Sequence, residues 1–221
     1  MNLDIYDKNL IMKESLKQIE NPVILEFGVN RGRSSQRFLD HILNFGGNIF
    51  SIDIKDCSHV ISSEKWNFFQ CDDLDVEKIL NRFPKLNEGI DLLFIDSYHD
   101  PFHVKKLLEK WFIYIKKNGY IYFDDTESYL YRIKKNTILS IINDAISDVI
   151  KDFYYSNYDG LIYTKYFHGS GLSKFQKLSE IGTEPKMNKI WKYNFIFSKI
   201  YLLLKKIKFK IFKSLFLKYE D

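Results

Sequence analysis

The amino-acid sequence predicts an α/β fold: a mostly parallel sheet with helices on both faces and an antiparallel hairpin at its edge. Three observations lead there. Short β-branched or aromatic runs alternate with helical patterns, the order expected of parallel strands joined by crossover helices. The runs VILEF and LLFI are almost continuously apolar, as strands covered on both faces must be. A tight-turn signal, Tyr158-Asp159-Gly160, sits between two late aromatic runs and predicts the closing hairpin within 152–166.

Element by element, strands are expected at Val23–Val29, Asn48–Ile54, Asn67–Cys71, Asp91–Ser97 and Gly119–Asp124. Helices are expected at Ser34–Leu43, Val76–Phe83, Phe102–Ile115 and from about Thr137 to Ile150. Asp75 is placed to cap the helix that begins at Val76. Asp100-Pro101 opens the next helix, with proline in the first turn. Lys117-Asn118-Gly119 reads as a helix exit into a strand. From His168 the pattern changes, and a soft boundary near 167 separates a domain at 1–167 from a basic extension at 168–221.

A chain of 221 residues with 45% hydrophobic content can bury a core of its own. Cys57 and Cys71 offer neither a disulfide framework nor a zinc spacing, and the first residues carry no apolar signal core. A cytoplasmic location is therefore the expectation. The net charge of +4 hides an asymmetry: residues 186–221 hold ten lysines against Glu220 and Asp221, a net +8, which leaves −4 on the rest.

Ligands of open parallel sheets sit at the carboxyl ends of the strands. The polar residues there are Glu26–Gly32, Asp53, Asp72–Asp73, Asp96–His99 and Asp124–Asp125, so every one of five strands ends in acid. Gly28 and Gly32 in EFGVNRG let the backbone turn tightly and approach a ligand. A dinucleotide fingerprint would need glycines at 28, 30 and 33, but Asn30 and Arg33 stand at two of those positions, and Glu26 would repel a pyrophosphate. The loop suits a cationic ligand better. Asp53 can accept two hydrogen bonds from ribose hydroxyls, or it is an ordinary strand-end carboxylate. Asp72 or Asp73 can accept from an adenine amino group, or cap the next helix in competition with Asp75.

The order EFGVNRG, SIDI, QCDD, DLLFIDSYHD and GYIYFDD resembles the class I S-adenosylmethionine (SAM)-dependent methyltransferases over roughly residues 21–166. The resemblance implies a Rossmann-like, seven-stranded sheet with the hairpin as its antiparallel edge. It implies that Glu26, Gly28, Asn30, Gly32 and Ser34 line the methionine and ribose portion of SAM, that Asp53 holds the ribose, and that Asp72 or Asp73 meets the adenine. FIDSYHD and YFDDT are similar to the metal-site segments of divalent-cation-dependent O-methyltransferases of the catechol and caffeoyl-coenzyme A type, and the first of them also resembles small bacterial methyltransferases acting on sugars. That likeness implies Asp96, Asp124 and Asp125 as ligands of Mg²⁺ or a similar ion, with His99 as general base. Asp96 can instead bind the SAM amino group without metal, and Asp125 can cap a following helix. His103, one turn later, reads as a surface or partly buried helix residue.

The expected activity is SAM-dependent methyl transfer to a sugar or small-molecule hydroxyl, with His99 and Asp96 as catalytic residues. The rivals are a nicotinamide-dependent oxidoreductase on a similar sheet and a non-catalytic scaffold of the same fold. In the tail, Ile200, Leu203, Leu204, Ile207, Ile211 and Leu215 share one face of a helix, with lysines largely elsewhere. This predicts either contact with an anionic membrane surface, which would place the protein at the inner face of the membrane, or packing on the body or on a second copy. No nucleic-acid module accompanies the charge.

Overall fold

A computed structural model describes residues 8–17, 19–135 and 137–187. Helix α1 (Lys8–Leu16) precedes β1 (Val23–Phe27), α2 (Arg33–Phe45), β2 (Asn48–Asp53), β3 (Trp66–Gln70) and α3 (Val76–Arg82). Then follow β4 (Ile90–Ile95), α4 (Pro101–Trp111), β5 (Ile115–Asp124), α5 (Tyr129–Ile133), α6 (Thr137–Ser156), β6 (Leu161–Tyr166) and β7 (Leu172–Lys177). The strands form one seven-stranded sheet in the order β3-β2-β1-β4-β5-β7-β6. Neighbours from β3 through β5 are parallel, and β7 runs antiparallel to both β5 and β6. The Rossmann-like sheet implied by the sequence motifs is the sheet observed.

Strand alternation divides the core in two. Leu25, Phe27, Ile52, Leu93 and Phe123 point into a cluster with Ile79, Leu107, Trp111 and Ile150 of α3, α4 and α6. Ile24, Ile49, Leu92, Phe94 and Tyr122 point the other way, against Met12 and Leu16 of α1 and Phe38, Leu39 and Ile42 of α2. The strand order reverses between β1 and β4, which opens a crevice at the carboxyl ends of the central strands.

Asp75 caps α3 by accepting the Lys78 N–H, and Asp100 caps α4 by accepting the His103 N–H with Pro101 in the first turn, both as the sequence predicts. Three elements differ. The aromatic run 153–155, read as a hairpin strand, lies inside α6, and the hairpin is β6–β7 around residues 167–171. Phe153 explains the difference: it packs on Phe112 at 5.3 Å and on Phe175 at 5.8 Å, as a helix face does. The sheet consequently continues through Lys177, past the change of pattern near 167. Helix α4 stops at Trp111, a 3-10 turn at Phe112–Tyr114 follows, and β5 already starts at Ile115. Helix α1 is additional to the elements read from the sequence. Residues 188–221, and with them most of the basic tail, lie outside the described residues.

Candidate active site

The site starts at the turn after β1. The Gly28 N–H donates to the Ile52 carbonyl at 2.9 Å, and its φ is +91°. A Cβ at this position would lie 2.1 Å from the Asp96 carbonyl oxygen, so only glycine lets the β1 turn lie against the turn after β4. Gly32, with φ of +70°, starts α2, whose N-terminus has no side-chain cap. Asn30, between them, is exposed and also has positive φ.

Glu26 is completely buried beneath this turn. Its Oε2 accepts from the Ser35 hydroxyl at 2.6 Å and the Ser51 hydroxyl at 2.7 Å, which ties β1 to α2 and β2. Burial pushes the Glu26 carboxyl up, and the hydroxyls of Ser34, Ser35 and Ser51 pull it part of the way back. Glu26 thus supports the loop from below.

Asp53 is half-buried at the end of β2. Its Oδ2 accepts from the Val29 N–H at 2.8 Å and the Asn30 N–H at 3.2 Å, and Oδ1 accepts from Lys55 N–H at 2.9 Å. Burial works against its charge, but the N–H bonds from Lys55, Val29 and Asn30 outweigh it and hold the carboxyl below its ordinary range. The Cys57 thiol also hydrogen-bonds this carboxylate, and as the weakest of the four donors it is the one a ligand hydroxyl would displace.

Asp72 and Asp73 part company. Asp72 is exposed, with Oδ1 accepting from Leu74 N–H at 2.9 Å. Asp73 is buried at 7% exposure: Oδ2 accepts from the Ser97 hydroxyl at 2.6 Å, and Oδ1 lies 2.9 Å from His103 Nε2. The Asp73 hydrogen bond raises His103 above an ordinary histidine, so the pair carries opposite charges over a wider pH range. His103 is partly buried, and exposed Tyr98 packs edge-on against it at 5.6 Å.

The carboxylates after β4 and β5 converge. His99 Nε2 is 3.5 Å from Asp96 Oδ1 and 3.7 Å from Asp125 Oδ2. Burial, then the charges of Asp124 and Asp125, push Asp96 up to about 8, and burial likewise raises Asp124. Asp125 has φ of +54° and donates its N–H to Asp124 Oδ1 at 2.7 Å. It does not cap α5; Glu127 takes the Ser128 and Tyr129 N–H groups instead. Lys8 of α1 lies against Asp124 and 3.6 Å from Asp125. Among the described residues, no group of three or more His, Cys, Asp or Glu side chains is set out to hold a metal ion. As arranged, Asp124 and Asp125 do not fit a divalent ion, because the Lys8 ammonium lies against them.

The residues expected from the sequence thus come together around one crevice, except that Asp72 faces solvent and Asp73 is engaged by Ser97 and His103. Lys8 and Ser170 were missed, and no local signal in their own segments marks them.

Residues 25–126 match the family model described as a methyltransferase domain. No curated protein matches the chain. Among solved structures, an S-adenosylhomocysteine (SAH)-bound Podospora anserina methyltransferase is 13% identical with a TM-score of 0.60, covering 78% of each chain. A TDP-rhamnose 3'-O-methyltransferase of calicheamicin biosynthesis is 14% identical with a TM-score of 0.56, covering 76% of each. MycE, a mycinamycin-pathway methyltransferase solved with Mg and SAH, is 17% identical with a TM-score of 0.56; the match covers 84% of this chain and 52% of MycE. At such identities these likenesses establish the fold.

Proposed function

We propose that this protein moves the methyl group of SAM onto a hydroxyl oxygen of a sugar or other small molecule. The carrying observation is the convergence of His99, Asp96 and Asp125 beside the Gly28 turn, at the carboxyl ends of β1, β4 and β5. In this reading Gly28, Asn30, Gly32 and Ser34 border the methionine portion, and the uncapped start of α2 faces its carboxylate. Asp53 takes a ribose hydroxyl. Asp72, with the exposed ring of Tyr98 nearby in the chain, borders the adenine.

The acceptor oxygen attacks the methyl carbon as the carbon–sulfur bond breaks, and the bond's electrons return to sulfur, which leaves SAH. The acceptor's proton goes to His99, which Asp96 and Asp125 orient. Most of the acceleration comes from alignment of oxygen, carbon and sulfur. Glu26 fixes the floor of the turn through Oε2. No step in this account runs through a metal. The similar structures that carry SAH favour SAM as the methyl donor, and the TDP-rhamnose 3'-O-methyltransferase favours a sugar hydroxyl as acceptor.

A cytoplasmic location and a role for the tail at an anionic membrane or a second subunit belong to the same proposal, supported by the lysine content of residues 186–218. Among the described residues no helix is long and apolar enough to cross a membrane.

Calorimetric titration with SAH and with NAD tests the central reading. SAH binding without NAD binding is expected. Binding of NAD alone would favour the oxidoreductase reading, and binding of neither would favour a scaffold.

A further inference from the structure

The acidic group after β4 and β5 already holds a cation of its own. Lys8 opens α1, and its ammonium lies against Asp124 Oδ1, 2.6 Å from Ser170 Oγ and 3.6 Å from Asp125 Oδ1. The ammonium donates to Asp124 Oδ1 and to the Ser170 hydroxyl, and Asp125 adds charge attraction without a hydrogen bond. The contact is sheltered: the side chains of Lys8 and Asp124 are 21% and 18% exposed.

The position of Lys8 is fixed by the rest of its helix. Met12 and Leu16 are buried at 2% and 1% exposure in the core on the α1–α2 face of the sheet. Ser15 Oγ lies 2.6 Å from Tyr122 Oη, and the same phenol reaches the Ile11 carbonyl at 3.4 Å. Tyr122 is two residues before Asp124 on β5, so the strand that carries the acid also anchors the helix that carries the lysine. Ser170, from the β6–β7 turn, closes the pocket on its other side.

Three carboxylates this close need a cation, a proton or water between them. We propose that Lys8 is the built-in counter-ion of this site and holds the position that the sequence resemblance gives to a divalent metal. Lys8 is a positioning residue. It holds Asp124 and Asp125 in place, and it leaves Asp96 and His99 as the pair that faces the acceptor. This rests on the methyl-transfer reading for what the site does, but the occupancy of the cation position is a separate matter that can be measured without substrate.

The test is a Mn²⁺ titration followed by electron paramagnetic resonance, on SAH-saturated full-length protein and its Lys8→Met and Lys8→Arg variants. Wild type and Lys8→Arg are expected to take up no stoichiometric Mn²⁺ at up to about 1 mM. Lys8→Met is expected to bind one Mn²⁺ at least about tenfold more tightly than wild type. Stoichiometric binding by the wild type, or no gain in Lys8→Met that circular dichroism shows to be folded, would overturn the proposal. Where Lys8→Met does not fold, the wild-type and Lys8→Arg titrations decide by the same criterion. SAH calorimetry with Mg²⁺ present runs alongside: no SAH binding there removes the methyltransferase reading, whichever way the Mn²⁺ result falls.

Discussion

Asp53 has two tasks in this site, and a substitution can separate them. Its oxygens accept three backbone N–H groups, from Val29, Asn30 and Lys55, and the Cys57 thiol, a weak donor that a ribose hydroxyl would displace. A hydrogen bond to a charged acceptor contributes about 1.5–3 kcal/mol. Losing the ribose bond alone therefore weakens SAH binding by about tenfold to about a hundredfold in Asp53→Ala. Loosening the Val29-Asn30 turn adds to that, but the turn is part exposed, so water replaces much of what its N–H groups lose. Calorimetry with SAH and with its 2'-deoxy analogue, on wild type and Asp53→Ala, isolates the ribose share as the coupling in the cycle. A coupling of at least about 1.5 kcal/mol is expected. Zero coupling with a large loss for both ligands would refute the ribose contact and leave Asp53 as a brace for the turn. Unchanged affinity for both would remove it from the site. Because the carboxyl is held below its ordinary range, the effect should persist from neutral into mildly acid pH and fade only as Asp53 protonates.

Two further predictions concern the frame and the tail. Lys177 is fully buried, with Nζ donating to the Phe112 and Ile115 carbonyls, and burial lowers it from 10.5 to about 8. Above the folded value the unfolded chain holds more protons, so denaturant melts should show stability rising by about 2 kcal/mol between about pH 7 and about pH 9.5, a rise that Lys177→Met abolishes; identical pH profiles would refute this. For the tail, a membrane role predicts co-sedimentation with anionic vesicles, less with neutral ones, and release by salt, all lost on truncation after Met187. Binding that ignores lipid charge, or none at all, would leave packing or dimerisation.

How much of the fold the sequence discloses depends on whether an element's partners are near it in the chain. Strands β1 and β4 are legible because continuous apolar runs have one physical use at that length, and Asp75 and Asp100 are legible as caps because a cap bonds three residues ahead. The run around Phe153 is not legible. Aromatics there satisfy a strand pattern and a helix face equally, and the choice is made by Phe112 and Phe175, which lie far off in sequence. Once α6 extends to Ser156, the hairpin must move on to the glycines at 169 and 171. Gly171 is required there, since a Cβ would lie 2.4 Å from the Glu127 side chain.

The site divides along the same line. Asp53, Asp96, Asp124 and Asp125 are visible because strand-end carboxylates have a fixed place in a parallel sheet, and His99 follows three residues after one of them. Their bonding is not visible. Asp73 is as acidic as Asp72 in the sequence, yet one is buried against Ser97 and His103 and the other faces water. Lys8 is the extreme case, since 116 residues separate it from Asp124 and its own helix pattern is weak. Charge balance nevertheless points toward something like it. Three acids placed at one crevice by sheet topology create a demand for positive charge, and that demand can be read from the strand ends alone. What the sequence cannot supply is the source of the charge, metal or lysine. The decision lies with α1: its apolar face is held by the core, and that packing, formed with no regard to the carboxylates, is what delivers an ammonium to them.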